Sequence, residues 1–438
     1  MSKKLLSVLL GSALVATMSM AACADGDKTT ITFWHAMGGV KGEAINAMIE
    51  NFNASQDEVE VVAEYQGSYD DSITKLKAAM QSGEGLPDVC QMYDVGTRFM
   101  IDSEGVIPVE DMFESTGFDS SSIMEVITNY YSENGKQYAM PFNVSTPVLY
   151  YNKDVFEAAG LDPEVAPATY DEVMEYAKQI VESGAAPVGY SHYIYGWFYE
   201  QQLARLGAYY GNNENGRAGA ITAVDFDQNG GGLKVFQLWK DLYDSGYFAN
   251  YGTAGTDTQT AFYAGQVGMI IESSACLGDA ANAAAFEVGT GFLPALEETE
   301  EGGVIIGGGS LWLMNSGDEA KENAAWKFIE YSTTPEAQAA WSMATGYLAI
   351  NPAAYETEEY KALLAEKPAY GTAIEQLNAT PVNNYTAGVL SGVQTESRLI
   401  FNEIIPQLYD GSMTPEDCVA SLAEQVNAAI DNYNKSIQ

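Results

Sequence analysis

Short segments of β-branched and aromatic residues alternate, along the first quarter of the chain, with longer segments whose apolar residues recur every three or four positions. Thr29–His35 reads Thr-Thr-Ile-Thr-Phe-Trp-His, which predicts a strand. Residues 42–53 put Ala44, Ile45, Met48, Ile49 and Phe52 on one helical face. Val59–Tyr65 repeats the strand pattern, 72–82 the helical one, and 88–92 supplies a third strand. A β-α-β-α-β order predicts the opening of an α/β sheet, whose ligand sites lie in a crevice beyond the strand ends. Helical spacing returns at 169–183, 231–243, 318–332, 334–343 and 415–433, with glycine runs at 230–232 and 307–309 as breaks.

The pattern differs before the first strand. Lys3 and Lys4 precede an apolar run over 5–20 and then Ala21-Ala22-Cys23. A basic start, an apolar stretch too short to hold a bilayer and small residues before the break predict a secretory signal peptide over 1–22. The small-small-Cys ending resembles the lipobox of bacterial lipoproteins, which would make Cys23 the lipid-carrying first mature residue and 23–26 a short anchored linker. Met20 stands where Leu is commonest, and an ordinary cleaved signal with Cys23 incidental is the alternative. Both readings place the mature protein outside the cytoplasm.

Composition sharpens the exclusions. A chain of 438 residues with 47% hydrophobic content has the material for a large core divided between two lobes. Its formal charge of −40 is spread along the sequence, a solvated acidic surface that makes nucleic acid a poor partner. Cys90, Cys276 and Cys418 are odd in number with no CxxC pair, and read as buried thiols rather than a disulfide framework. His35 and His192 are the two histidines, and neither has a partner at zinc-ligand spacing. Asp225-Phe226-Asp227-Gln228-Asn229-Gly230 opens like a calcium loop, but Phe236 stands where the closing Glu belongs, so it reads as a turn. No GxSxG, HExxH or P-loop motif occurs, and neither a metal nor a cofactor is expected. With 60 acidic residues, a carboxylate pair of a hydrolase remains an open candidate.

Six segments carry a resemblance that runs through the mature chain: 31–37 (Ile-Thr-Phe-Trp-His-Ala-Met), 65–69 (Tyr-Gln-Gly-Ser-Tyr), 91–96 (Gln-Met-Tyr-Asp-Val-Gly), 141–154 beginning Pro-Phe-Asn-Val-Ser-Thr-Pro, 305–312 (Ile-Ile-Gly-Gly-Gly-Ser-Leu-Trp) and 345–348 (Thr-Gly-Tyr-Leu). Together they resemble the extracellular solute-binding proteins of ABC importers, and most closely those members that take glycerol-3-phosphate. The resemblance implies a two-lobed α/β fold of the periplasmic-binding-protein kind, each lobe an open sheet flanked by helices and the two joined by a multi-strand hinge. It implies a first lobe of 27–143 and 276–325 and a second of 147–271 and 326–438, with crossings near 143–146, near 273–276 and after Trp312. It further implies a small-molecule ligand between the lobes, permease subunits as the protein partner, and contact with the membrane through the lipid anchor alone.

Carried over position by position, the implied ligand residues are Tyr69, Asp94, Ser145, Ser273, Gly308, Tyr347 and Arg398. Their chemistry suits a phosphate: Arg398 is a permanently charged fork, the hydroxyls add donors, Gly308 lets a main-chain N–H approach, and Asp94 accepts from glycerol hydroxyls. Taken alone, Arg398 reads as a surface residue paired with Glu396 or Glu403. The other picks have plainer readings too, in packing and turns. Two positions depart from the family: Asp94 replaces Glu, and Ile194-Tyr195-Gly196-Trp197 replaces a Trp-x-Gly-Trp motif. The lost indole leaves Tyr195 and Trp197 as a candidate wall for a bulkier head group, such as that of a glycerophosphodiester, and Tyr193 could face a cation there. A neutral oligosaccharide receptor and a secreted hydrolase of the same compounds are the competing functions.

Overall fold

The computed structural model describes residues 28–297 and 302–437; the expected signal peptide, Cys23 and the anchored linker lie outside the described residues. Eleven strands matter to the site: β1 (Thr29–His35), β2 (Val59–Tyr65), β3 (Val89–Tyr93), β4 (Val106–Ile107), β5 (Met140–Ser145), β6 (Pro147–Asn152), β7 (Val188–Ser191), β8 (Phe248–Ala249), β9 (Val267–Ser273), β10 (Val288–Phe292) and β11 (Gly307–Met314). They form a first sheet in the order β2-β1-β3-β11-β4, with β5 also on β11, and a second in the order β8-β7-β9-β6-β10. Strands β1, β2 and β3 run parallel, as their helical crossovers require, and β11 enters antiparallel to β3.

The principal helices are α1 (Gly39–Ser55), α2 (Tyr69–Ser82), α3 (Tyr170–Ser183), α4 (Gly196–Arg205), α5 (Gly231–Asp244), α6 (Glu319–Ser332), α7 (Pro335–Thr345), α8 (Ala369–Ala379), α9 (Gln394–Tyr409) and α10 (Pro415–Ser436). Their ends follow local chemistry. Ser68 and Asp71 cap α2 reciprocally, as Thr169 and Glu172 cap α3 and Thr414 and Asp417 cap α10. In α1 the predicted stripe of Ile45, Met48, Ile49 and Phe52 is buried, whereas Ala44 lies at its margin.

One core gathers Ile31, Phe33, Leu311, Trp326 and Trp341 around the first sheet, and another gathers Leu149, Tyr190, Met269, Trp239 and Phe401 around the second. The chain passes between the sheets at Thr146, and every residue of β5 and β6 on either side of it is buried. A strand pair buried on both faces reads as continuous apolar sequence, which Met140–Tyr151 largely is.

Three expectations are corrected. Strand β10 lies inside the span assigned to the first lobe, yet it pairs with β6 in the second sheet. The chain therefore does not change sheets at 273–276; it returns ahead of β11, not after Trp312. Conversely α6 and α7, split from the first lobe by the boundary at 325, pack on β1, β11 and α1 there. The physical reason is that the antiparallel partner with a free edge for β10 is β6, while Trp326, Phe328 and Ile329 complete the core beneath β1. Among the cysteines, Cys90 and Cys418 are buried, but Cys276 is only half-buried, because it sits in the short turn that ends β9. The Asp225 segment is a turn, with Gln228 and Asn229 N–H both donating to the Asp225 carbonyl.

His192 yields a pH prediction. Its ring sits in an aromatic box 4.2 Å from Trp239 and 4.9 Å from Phe248, with Nδ1 3.1 Å from the Tyr190 hydroxyl. Burial lowers its pKa from 6.5 to about 3. Between those values the unfolded chain takes up a proton that the fold does not, so stability falls as pH falls, by up to about 1.4 kcal/mol per pH unit. Urea midpoints measured from pH 6.5 down to 4 are expected to decline less steeply for His192→Phe than for the wild type; equal slopes would remove His192 from the explanation.

Candidate functional site

The residues just beyond the carboxyl ends of β2 and β3 begin the site. Tyr69 opens α2 after β2. Its hydroxyl accepts from Asn143 Nδ2 at 2.8 Å and its ring stacks on Tyr93 at 5.1 Å. Asn143 is itself held by Gln91, whose Nε2 donates to its Oδ1 at 2.7 Å. Asp94 follows β3 and is only 6% exposed. Its carboxylate accepts from the Val95 N–H at 2.6 Å and from the Gly308 N–H.

Gly308 has φ +103°, and a Cβ there would fall 1.7 Å from the Asn143 carbonyl oxygen. Only glycine allows β11 to pass β5 this closely while its N–H serves Asp94. The neighbouring Gly307 leaves room for Trp197, whose Cζ2 would lie 2.8 Å from an added Cβ. Trp197 Nε1 is buried without a hydrogen-bond partner, a donor open to a bound molecule.

From the other side, α9 delivers Arg398. Gly196 at the start of α4 makes this possible, because an added Cβ would stand 2.8 Å from the Cα of Arg398. Arg398 is 8% exposed, and its guanidinium is gripped along one edge by Glu200: Nε donates to Oε1 at 2.8 Å and Nη2 to Oε2 at 2.7 Å. Nη1 approaches Tyr195 Oη at 3.3 Å and Asp94 Oδ1 at 3.6 Å, and the Tyr195 ring lies 5.5 Å from the guanidinium carbon. Burial alone would lower the Arg398 pKa, but the charge of Glu200, with Tyr195 and Asp94, outweighs it and holds the group protonated. Burial raises the Asp94 carboxyl above its ordinary range, and Arg398 opposes that rise.

Arg398 thus joins Asp94, at the end of the first sheet, to Glu200 on α4 in the second core. Other bonds span the same gap: Tyr93 to Thr395 at 2.6 Å, Tyr433 to Asp102 at 2.6 Å, and Arg217 Nη1 to the carbonyls of Tyr130 and Ser132, each at 2.9 Å.

The candidate residues fall into two groups. Asp94, Gly308, Arg398, Tyr195 and Trp197 meet directly, with Tyr69 one side chain away. Ser145 and Ser273 flank the strand crossing: Ser145 is buried opposite Gly307, while Ser273 Oγ accepts from the Ala275 N–H at 3.3 Å and so caps a turn. Tyr347 stacks on Trp341 at 5.9 Å beneath the Lys41 ammonium, 4.9 Å from its ring. The surface reading of Arg398 does not hold, since Glu396 and Glu403 are exposed and Glu200 is its partner. Sequence reasoning missed Glu200, Asn143 and Lys41. Asn143 lay inside the quoted Phe-Asn-Val-Ser segment and was within reach; Glu200, one acid among 60, carried no local signal.

Known proteins extend this picture. Residues 47–369 match the family model for bacterial extracellular solute-binding proteins. The sn-glycerol-3-phosphate-binding periplasmic protein UgpB of Escherichia coli K12 is 32% identical, over 93% of this chain and 94% of its own. Its counterpart in Pectobacterium atrosepticum is 32% identical over 99% and 98% respectively. Among solved structures, UgpB of Mycobacterium tuberculosis in complex with glycerophosphocholine superposes with a TM-score of 0.78 at 21% identity, covering 93% of this chain and 99% of that one. The cyclic α-maltosyl-1,6-maltose-binding protein of Arthrobacter globiformis gives 0.77 at 24% identity, covering 92% and 100%. These two show a shared fold, the two-lobed α/β architecture expected from sequence. With a family model spanning most of its length and relatives alike from end to end, the chain belongs to the bacterial extracellular solute-binding proteins.

Proposed function

We propose that the protein is the extracytoplasmic substrate-binding subunit of an ABC importer, that it captures glycerol-3-phosphate or glycerophosphodiesters between its lobes, and that it hands them to the permease. The observation that carries this reading is the buried Arg398 guanidinium between Asp94 and Glu200, set in a chain whose full-length relatives are named for glycerol-3-phosphate. A cation kept so far from water favours an anionic ligand, which it meets with charge-assisted hydrogen bonds. Asp94, barred by charge from the phosphate, accepts from glycerol hydroxyls. Tyr69, Ser145, Ser273 and Tyr347 supply the remaining polar contacts, Gly308 takes part by holding Asp94 through its N–H, and Tyr195 with Trp197 forms the wall for a head group. The protein binds and releases without chemical change. Lipid on Cys23 holds it at the outer face of the cell membrane.

A melting-temperature screen across phosphates, phosphodiesters and oligosaccharides tests this, because a compound that binds only the folded form raises the transition. Stabilisation by glycerol-3-phosphate or its diesters and none by maltose is expected. The reverse would make the protein an oligosaccharide receptor with an aromatic cleft, and release of glycerol or free head group from the compounds would make it a hydrolase.

A further inference from the structure

Glu200 has no place in the ligand set above, yet it holds Arg398 more closely than any other residue does. It is 5% exposed and takes two of the five N–H donors of Arg398, while Gln394 Nε2 donates to its Oε1 at 2.6 Å. A bidentate grip fixes the plane of the guanidinium and commits its Nε/Nη2 edge. What remains for a ligand is the outer Nη1/Nη2 edge, which faces Asp94 and Tyr195. The charge count is also unusual for an anion site. Asp94 and Glu200 set two carboxylates against one guanidinium, so the cluster carries a formal −1 before any phosphate arrives.

We propose that Glu200 is a positioning and specificity-determining residue: it presents the outer edge of Arg398 to the ligand, and its charge selects singly charged phosphodiesters over doubly charged phosphate monoesters. This rests on the reading that Arg398 meets the phosphate. A monoester has a second ionisation near pH 6 and carries close to two charges at neutral pH, whereas a diester keeps one. In a site screened from water, each added negative charge meets both carboxylates at close range, where repulsion is several times stronger than in bulk solvent. The monoester bears that repulsion twice over.

The test is calorimetry at pH 7.5 with glycerol-3-phosphate and with its methyl ester, a diester of nearly the same size, on the wild-type protein and on Glu200→Gln. The wild type is expected to bind the methyl ester about tenfold or more tightly than the monoester. In Glu200→Gln that ratio is expected to shrink by several-fold, with the monoester gaining relative to the diester. A residue that merely shaped the cleft would alter both affinities alike and leave the ratio unchanged. Equal binding of the two compounds by the wild type, or an unchanged ratio in the variant, overturns the charge selection and leaves the phosphate reading standing. Heat with neither compound overturns both. Equal binding by the wild type overturns the selection even if the variant folds poorly.

Discussion

Arg398→Ala is expected to weaken glycerophosphate binding by about a hundredfold or more, since two charge-assisted hydrogen bonds are lost at about 1.5–3 kcal/mol each. The same change should lower the stability of the unliganded protein. It leaves Glu200 and Asp94 facing each other in a buried space without their cation, and breaking a buried ion pair from one side costs about 3–5 kcal/mol. The two effects separate in the double variant Arg398→Ala/Glu200→Ala, which removes the stranded carboxylate: stability should recover in part while binding does not. Arg398→Lys should fall between, because a lysine keeps the charge but cannot hold Glu200 with one edge and a ligand with the other. Chemical denaturation and calorimetry on the four proteins give the answer. Arg398→Ala with wild-type affinity would remove the guanidinium from ligand recognition.

Gly308→Ala is expected to be the most damaging single methyl group in the cleft. The residue sits at φ +103°, and the new carbon would be driven to 1.7 Å from the carbonyl oxygen of Asn143 on the adjacent strand. Backbone oxygen cannot swing aside as a side chain does, so β11 must move off β5, at a cost on the order of 3 kcal/mol or more. Movement there also withdraws the Gly308 N–H from Asp94 and disturbs Asn143, the donor to Tyr69. Loss of stability and of ligand affinity should therefore appear together. Gly317→Ala is the control: its φ is +70°, but nothing lies within 4 Å of an added Cβ, so the backbone term of about 1–2 kcal/mol should act alone and spare binding. Equal damage from both substitutions would mean that the close strand passage is unimportant.

Much of the first sheet was legible in the sequence because local rules and tertiary fate agree there. The two-residue period of β1 and β2 and the helical stripe of α1 each specify an element without reference to distant residues. The partition of the lobes was not legible. Val288–Phe292 contains two glycines in five residues, and nothing in so weak a strand reveals that its partner is β6. Likewise Trp326 and Phe328 mark α6 as apolar but do not say which core it fills. For the site, Arg398 was found through a family resemblance; its helical neighbours suggested an ordinary surface arginine. Its partner Glu200 lies 198 positions away, and pairing across that distance is set by where α4 and α9 meet. A charge of −40 hides such a partner, since every arginine has many acids to choose from.

The most direct measurement is a crystal structure of the protein soaked with a glycerophosphodiester. The expected result is phosphate oxygens about 3 Å from Arg398 Nη1 and Nη2, with Glu200 still holding the opposite edge and the glycerol hydroxyls on Asp94. A phosphate bound elsewhere, with Arg398 touched only by its two carboxylates, would contradict it.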